Sequence, residues 1–281
     1  MSTDPNRQQV PWLISEQDIP KPGLGELLVK IKATALNPVD WKIMASSQLA
    51  AHYCSFLAQI LLVTRRKLFQ GLYKNDNTGF QQYMVADATM TARSKLSYKD
   101  ASTIPVALTI SYLEMFNTNY SGLKFTGPLE PSQQGQLAST PFIILGGSSS
   151  VRQYIIQLVK VLGVTHIIDC TNTATLLHGK IKKIANTLIK HVYDAISSQE
   201  TQQFGHDLLV PGGQLNIVLP QKITKVDDKT ILYVTGIQSI PKHHELLEEG
   251  GIIPNRYEVL LGGLGGITEG YNICRMVKYP E

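Results

Sequence analysis

The apolar residues of this chain fall into two rhythms, and one stretch shows both in succession. Phe142 to Leu145 is an unbroken apolar run of the length of a strand interior. Gly146, Gly147, Ser148, Ser149 and Ser150 follow, a small-residue turn in which backbone can approach a ligand closely. Val151, Tyr154, Ile155, Leu158, Val159 and Leu162 then recur at helical spacing and mark one face of a helix. A strand that enters a helix through Gly and Ser gathers unpaired N–H groups and the positive end of the helix dipole at one point, which suits a phosphate. The spacing is not Gly-x-Gly-x-x-Gly, so the turn by itself leaves a nucleotide site and an ordinary corner both open.

The same alternation continues toward the C-terminus. Thr165–Asp169 reads as a strand and 174–190 as a helix with Leu177, Ile181, Ile184, Leu188 and Ile189 on one side. Val192–Ile196 is a strand, 198–209 a helix with Ser198 as its cap, and Gln214–Leu219 a strand after the turn Pro211-Gly212-Gly213. Repeated β-α-β predicts a parallel sheet with right-handed crossovers and a ligand site at the carboxyl ends of its strands. Gly146–Ser150, Asp169–Thr171 and Ser197–Gln199 fall at those ends.

Before residue 140 the pattern is looser. Leu27–Ala33 and Phe80–Val85 read as strands, and 100–117 as helical, with Ile104, Leu108, Tyr112, Leu113 and Phe116 on a face and Pro105 bending or beginning it. Pro38 forces Asn37 out of the helical region, and Asp40 stands where a short helix opens. Residues 43–69 show no clean period. Residues 121–140 read as a loop. Tyr257–Leu261 is strand-like and leads into Gly262-Gly263-Leu264-Gly265-Gly266.

Composition narrows the classes. A chain of 281 residues has room for about two domains. At 43% hydrophobic and 17% charged, with a net charge of +4 spread over both signs, it has the make-up of a globular protein and no case for nucleic acid. No apolar run approaches membrane-spanning length, and the first residues lack a signal-peptide core. Cys54, Cys170 and Cys274 are far apart, without metal spacing, so no metal is expected and a reducing cytoplasm is the expected home.

Four stretches carry a resemblance: Leu-Asn-Pro-Val-Asp-Trp-Lys at 36–42, residues 75–88, the turn and helix at 146–163, and 193–202 with 211–220. Together, and in this order, they resemble the medium-chain dehydrogenase/reductase superfamily. Within it the chain is similar to the zinc-free quinone and enoyl reductase branch, above all to fungal trans-acting enoyl reductases. The resemblance implies an α/β Rossmann domain at 116–240. It also implies a truncated GroES-like β-barrel domain at 1–115, completed by 241–281. It implies NADPH as cofactor, with Val39, Asp40, Lys42, Ser148, Ser149, Ser150 and Val151 as cofactor-binding positions. Asn37, Thr103, Pro105 and Thr109 match positions on the substrate side. The implied reaction moves a hydride to an enoyl, quinone or other conjugated carbonyl, on a small molecule that is free or carrier-bound.

Three departures stand beside it. Arg152 occupies the place of a glycine that permits close helix–strand packing. One β-α unit is missing between the first Rossmann helix and Thr165–Asp169, which the resemblance assigns to a third strand. Residues 43–69 are too short to complete the barrel, and the chain stops before the family's closing strand. A truncated member that binds no cofactor is the alternative these gaps support. The shortened spacing also supports another cofactor, since Asp169 lies 22 residues after Gly147. That is close to the offset at which a carboxylate takes the ribose of NADH. It follows if the sheet closes over the gap.

Overall fold

In the computed structural model the described residues are 14–37, 40, 67–69, 79–116, 123, 135, 137–138, 140–146, 149–164, 167–169, 189–224, 228–233, 252–267 and 269. Contacts divide the chain into two units, Met1–Pro105 with Arg256–Pro280, and Val106–Asn255.

The described strands of the first unit form two antiparallel pairs. β1 (Glu26–Lys30) pairs with β3 (Tyr83–Asp87), and β2 (Lys67–Phe69) with β4 (Thr91–Arg93). β1 is shorter than its predicted span because its ladder partner ends at Tyr83, opposite Lys30. Across this pair the Lys30 ammonium sits 5.6 Å from the centre of the Tyr83 ring. β3 starts three residues later than the apolar run at Phe80 suggests, and its Met84, Val85 and Ala86 are all buried. The helix predicted at 100–117 is two helices, α1 (Tyr98–Ser102) and α2 (Pro105–Phe116). Ser97 caps α1 by accepting the Asp100 N–H, and Pro105 begins the second helix, as its missing N–H and fixed φ allow. Tyr257–Leu261 forms no strand, and Gly263–Gly266 is a 3₁₀ turn.

The second unit is built on five parallel strands. They are β5 (Phe142–Leu145), β6 (Ile167–Asp169), β7 (His191–Asp194), β8 (Gln214–Ile217) and β9 (Thr230–Tyr233). Their order is β6-β5-β7-β8-β9, with helices α3 (Ser150–Val161) after β5 and α4 (Gln199–Leu208) after β7. The predicted β-α alternation is met at α3 and α4, and β9 is a strand that the sequence reading did not predict. The predicted helix 174–190 lies outside the described residues, apart from its last two positions.

One correction concerns β6. The resemblance assigns it to a third strand, separated from β5 by another. In the structure it pairs directly with β5, with Phe142 opposite Ile167 and Ile144 opposite Asp169. Bonded directly in this way, β5 and β6 satisfy each other's edges, which an unfilled gap between them would leave without a ladder.

Side chains alternate across the sheet. One face carries Ile143, Leu145, Val192, Leu215 and Ile217, packed with Leu209, Ile223, Phe204 and Leu208. Here α4 comes very close. A Cβ at Gly205 would lie 3.0 Å from both Leu215 and Val192, so glycine sets the helix-to-sheet distance. The other set of positions, Phe142, Ile144, Tyr193 and Asn216, is also fully buried. α2 and α3 meet through Ser111, whose hydroxyl hydrogen-bonds the carbonyls of Ala107 and Val151.

A polar patch interrupts this interior. Glu114 of α2 is fully buried beside the Tyr193 phenol, and neither carboxyl oxygen makes a hydrogen bond of ordinary geometry among the described residues. Asn216, next to Tyr193 in register, has both amide atoms in the same position. Burial pushes the Glu114 carboxyl well above its usual 4.5, against the pull of the Tyr193 hydroxyl. Folded Glu114 thus keeps its proton to higher pH than the unfolded chain does. The stability linked to it is complete below about 4.5 and is lost as pH rises through the folded value. Glu114→Gln is expected to flatten that decline and to raise stability at pH 9 by about 1–3 kcal/mol. Denaturant melts of both proteins from pH 5 to 9 check this. Parallel pH profiles would contradict the assignment.

Candidate functional site

The carboxyl ends of β5 and β7 meet a sharp turn. Gly146 has φ +104°, in the left-handed region, and its α-carbon sits against the loop after β7. A Cβ there would lie 2.7 Å from Ile196 Cγ1 and 3.2 Å from the Ile196 nitrogen. Glycine is required on both counts. Ser149 then caps α3. Its hydroxyl accepts the Arg152 N–H at 3.4 Å and its carbonyl accepts the Gln153 N–H at 3.3 Å. The first turn of α3 holds no acidic residue. The positive end of a 12-residue helix therefore faces the sheet edge with no carboxylate of its own turn to neutralise it.

Arg152 replaces the glycine of the similar family, and the structure accommodates it. It is 5% exposed and shares the buried face of α3 with Ile155 and Val159. Tyr154 and Leu158 of the same helix are buried as well. Two further ties hold α3. The Gln157 amide makes a two-way bond with the Ile253 backbone, accepting its N–H at 2.8 Å and donating to its carbonyl at 3.1 Å. Asn255 donates to the Ser150 carbonyl at 3.4 Å.

The loop after β7 is held by Asp194, the last residue of that strand and fully buried. Its Oδ1 accepts the Ile196 N–H at 3.0 Å and the Ser197 N–H at 2.8 Å, and its Oδ2 accepts the Thr201 hydroxyl at 2.7 Å. Burial raises its pKa, while the bonds from Ser197, Thr201 and Ile196 act in the opposite sense. Ser197 adopts φ +54°, the left-handed conformation uncommon for a residue with a Cβ. Its hydroxyl stabilises that turn, donating to the Asp194 carbonyl and accepting the Val218 N–H at 2.9 Å. Gln202 extends the clip. It donates to the Ser197 and Pro220 carbonyls and accepts the Lys222 N–H at 2.8 Å. With Ala195 N–H donating to the Leu145 carbonyl, the segments following β5, β7 and β8 are joined into one rigid rim.

The predicted site residues are placed as follows. Ser149, Ser150 and Val151 stand at the start of α3 in the second unit, with Ser150 exposed and Val151 half-buried. Asn37 and Asp40 lie in the first unit, where the Asp40 carboxylate, itself buried, accepts the Asn37 N–H at 2.8 Å. Thr103 is half-buried at the end of α1 and donates to the Asp100 carbonyl. Pro105 is buried at the start of α2, and Thr109 is buried within that helix. Val39, Lys42 and Ser148 lie outside the described residues. Sequence reasoning placed Ser197 at this edge and overlooked Gln202 as part of the rim. The only local signal is the Ser198-x-x-Thr201 capping box beside them, in which each side chain bonds the other's backbone N–H. Among the described residues no group of three His, Cys, Asp or Glu side chains is placed to hold a metal. No described helix is long and apolar enough to cross a membrane.

Comparison with known proteins bears on this geometry. No family model matches the chain. It is 24% identical over 268 positions to the trans-enoyl reductase ACTTS2 of Alternaria alternata, spanning 81% of this chain and 75% of the relative. It is 23% identical to a trans-enoyl reductase of Gibberella fujikuroi, spanning 92% and 91%. That second alignment runs over 326 positions, more than the 281 residues present, so this chain lacks internal segments that the relative has. In fold it is similar to an alcohol dehydrogenase superfamily protein from Novosphingobium aromaticivorans. The TM-score is 0.70 over 96% of this chain and 93% of the other, with 15% identity. Further solved structures of similar fold include enoyl reductases and alcohol dehydrogenases. In sequence and in fold, the chain resembles the enoyl reductases and alcohol dehydrogenases of the medium-chain dehydrogenase/reductase superfamily.

Proposed function

We propose that this chain is a nicotinamide-dependent, zinc-independent reductase of an enoyl, quinone or other conjugated carbonyl compound, free or carrier-bound. One observation carries the reading: β5 enters α3 through a glycine turn at the carboxyl edge of a parallel sheet, in a chain whose relatives are enoyl reductases. The first unit corresponds to a reduced GroES-like domain in this reading, and the cytoplasm is the proposed compartment. NADPH is the cofactor that the family resemblance favours.

The residues fit a dinucleotide. Gly146 removes the Cβ that would keep the turn off the Ile196 loop, and the uncompensated start of α3 suits the pyrophosphate. Once bound, the reduced nicotinamide supplies the hydride. The chain's own contribution is position. Ser149 fixes the first turn of α3, and the Asp194 clip fixes Ala195–Ser197 against Gly146. A rim of this rigidity holds reacting groups in place without reordering at the moment of reaction.

The test is a thermal melt of the purified chain with and without reduced dinucleotide. Ligand at 100 times its dissociation constant adds about 2.7 kcal/mol. That moves the midpoint by several degrees for a chain of this size. A cooperative melt that no dinucleotide shifts would refute the reading. It would favour the alternative of a family member without cofactor binding, which the internal segments absent from this chain support.

A further inference from the structure

We infer that segment 252–255 is a strap that sets the start of α3 for the dinucleotide, and that Asn255 is a positioning residue of that site. The inference rests on the dinucleotide reading above and adds to it a part of the chain 105 residues beyond Ser150.

The cap of α3 is loose by itself. The Ser149 hydroxyl lies 3.4 Å from the Arg152 nitrogen and its carbonyl 3.3 Å from the Gln153 nitrogen, both beyond the usual range of about 2.7–3.2 Å. Segment 252–255 supplies firmer ties. Ile252 is buried, and the Ile253 backbone exchanges two bonds with the Gln157 side chain, at 2.8 and 3.1 Å. Two residues on, Asn255 is 4% exposed and donates its amide to the Ser150 carbonyl at 3.4 Å. Gln157 lies two turns, about 10 Å, along the helix axis from Ser150. The segment therefore runs antiparallel along α3 and ends at its first residue. A helix fastened at two such points neither slides nor turns about its axis, and the N–H groups of its first turn keep their aim. The Gln157 bonds lie at the surface, where water competes for both partners, so they add modestly to stability and chiefly fix placement. The side chain at the first turn is an amide, which donates where a carboxylate cannot. Being neutral, it leaves the positive end of α3 to an incoming pyrophosphate.

The experiment measures NADH and NADPH affinity by equilibrium titration, and stability by denaturant melts, on the full chain and three variants. Asn255→Asp is expected to keep or raise stability, because a carboxylate favours a helix N-terminus. It is expected to bind dinucleotide about tenfold more weakly, because it competes with the phosphates for that end. The loss should shrink as salt is raised. Asn255→Ala and Gln157→Met are expected to weaken binding by about three- to fivefold in proteins that still melt cooperatively. Opposite movement of stability and affinity in Asn255→Asp is a signature that packing alone does not give. Wild-type affinity in all three variants, or losses of affinity that only track losses of stability, would overturn the inference and leave the dinucleotide reading standing. A wild-type chain that binds neither NADH nor NADPH would overturn both. If the Asn255 variants fail to fold, Gln157→Met alone decides, since the bonds it removes lie at the surface.

Discussion

Gly146→Val is expected to eliminate dinucleotide binding and to destabilise the second unit by about 2–5 kcal/mol. Two independent costs meet at this residue. At φ +104° any side chain is strained, by about 1–2 kcal/mol. The Cβ would also stand 2.7 Å from Ile196 Cγ1, 3.2 Å from the Ile196 nitrogen and 3.3 Å from the Ala195 Cβ. The Ile196 side chain has some freedom to turn away. Its backbone nitrogen has not, because that N–H is bound to Asp194. The turn must then lift from the loop, and the start of α3 moves with it. Gly146→Ala, which adds only the Cβ, should lie between wild type and valine. Chemical denaturation and cofactor titration of the three proteins measure both effects. A valine variant of wild-type affinity would show that the turn takes no part in binding.

Asp194→Ala should be the most destabilising change on the rim, at about 3–5 kcal/mol. The side chain satisfies two backbone N–H groups and the Thr201 hydroxyl in a buried setting. Removing it leaves two backbone N–H groups without a partner, each at about 1–3 kcal/mol, and leaves the Thr201 hydroxyl its longer bond to the Ser198 carbonyl. It also releases Ser197 from its left-handed turn, and with it the Val218 N–H that the Ser197 hydroxyl accepts. Asp194→Asn retains one acceptor oxygen and should cost less than half as much. The two variants, compared by denaturant melts and by dinucleotide affinity, separate bonding from shape. If alanine and asparagine lose equal stability, the hydrogen bonds are not what holds this loop.

Much of the second unit was legible along the chain. Four buried residues from Phe142 to Leu145 and the i, i+3, i+4 spacing from Val151 announce a strand and a helix, because those periods are the geometry of the elements themselves. Ser198 was legible as a cap, since its partner lies three residues on. Pairing across the sheet was not legible. β9 shows no alternating burial and its interior is only half-buried, so its run Thr230–Tyr233, although made of strand-favouring residues, carries no clear period. Glu114 stands in an apolar helix, and only the fold sets its carboxyl beside Tyr193 from another element.

The sequence by itself determined the α/β pattern, the glycine–serine turn as the focus, and the likeness to enoyl reductases, the first two of which rest on contacts between near neighbours in the chain. The tertiary structure alone decided three things. It put β6 beside β5, it tucked Arg152 into the packed face of α3, and it linked Ser197, Gln202 and Val218 into a rim. Each is settled by which backbone groups find partners once the sheet has closed, and a partner many residues distant leaves no period in the sequence to read.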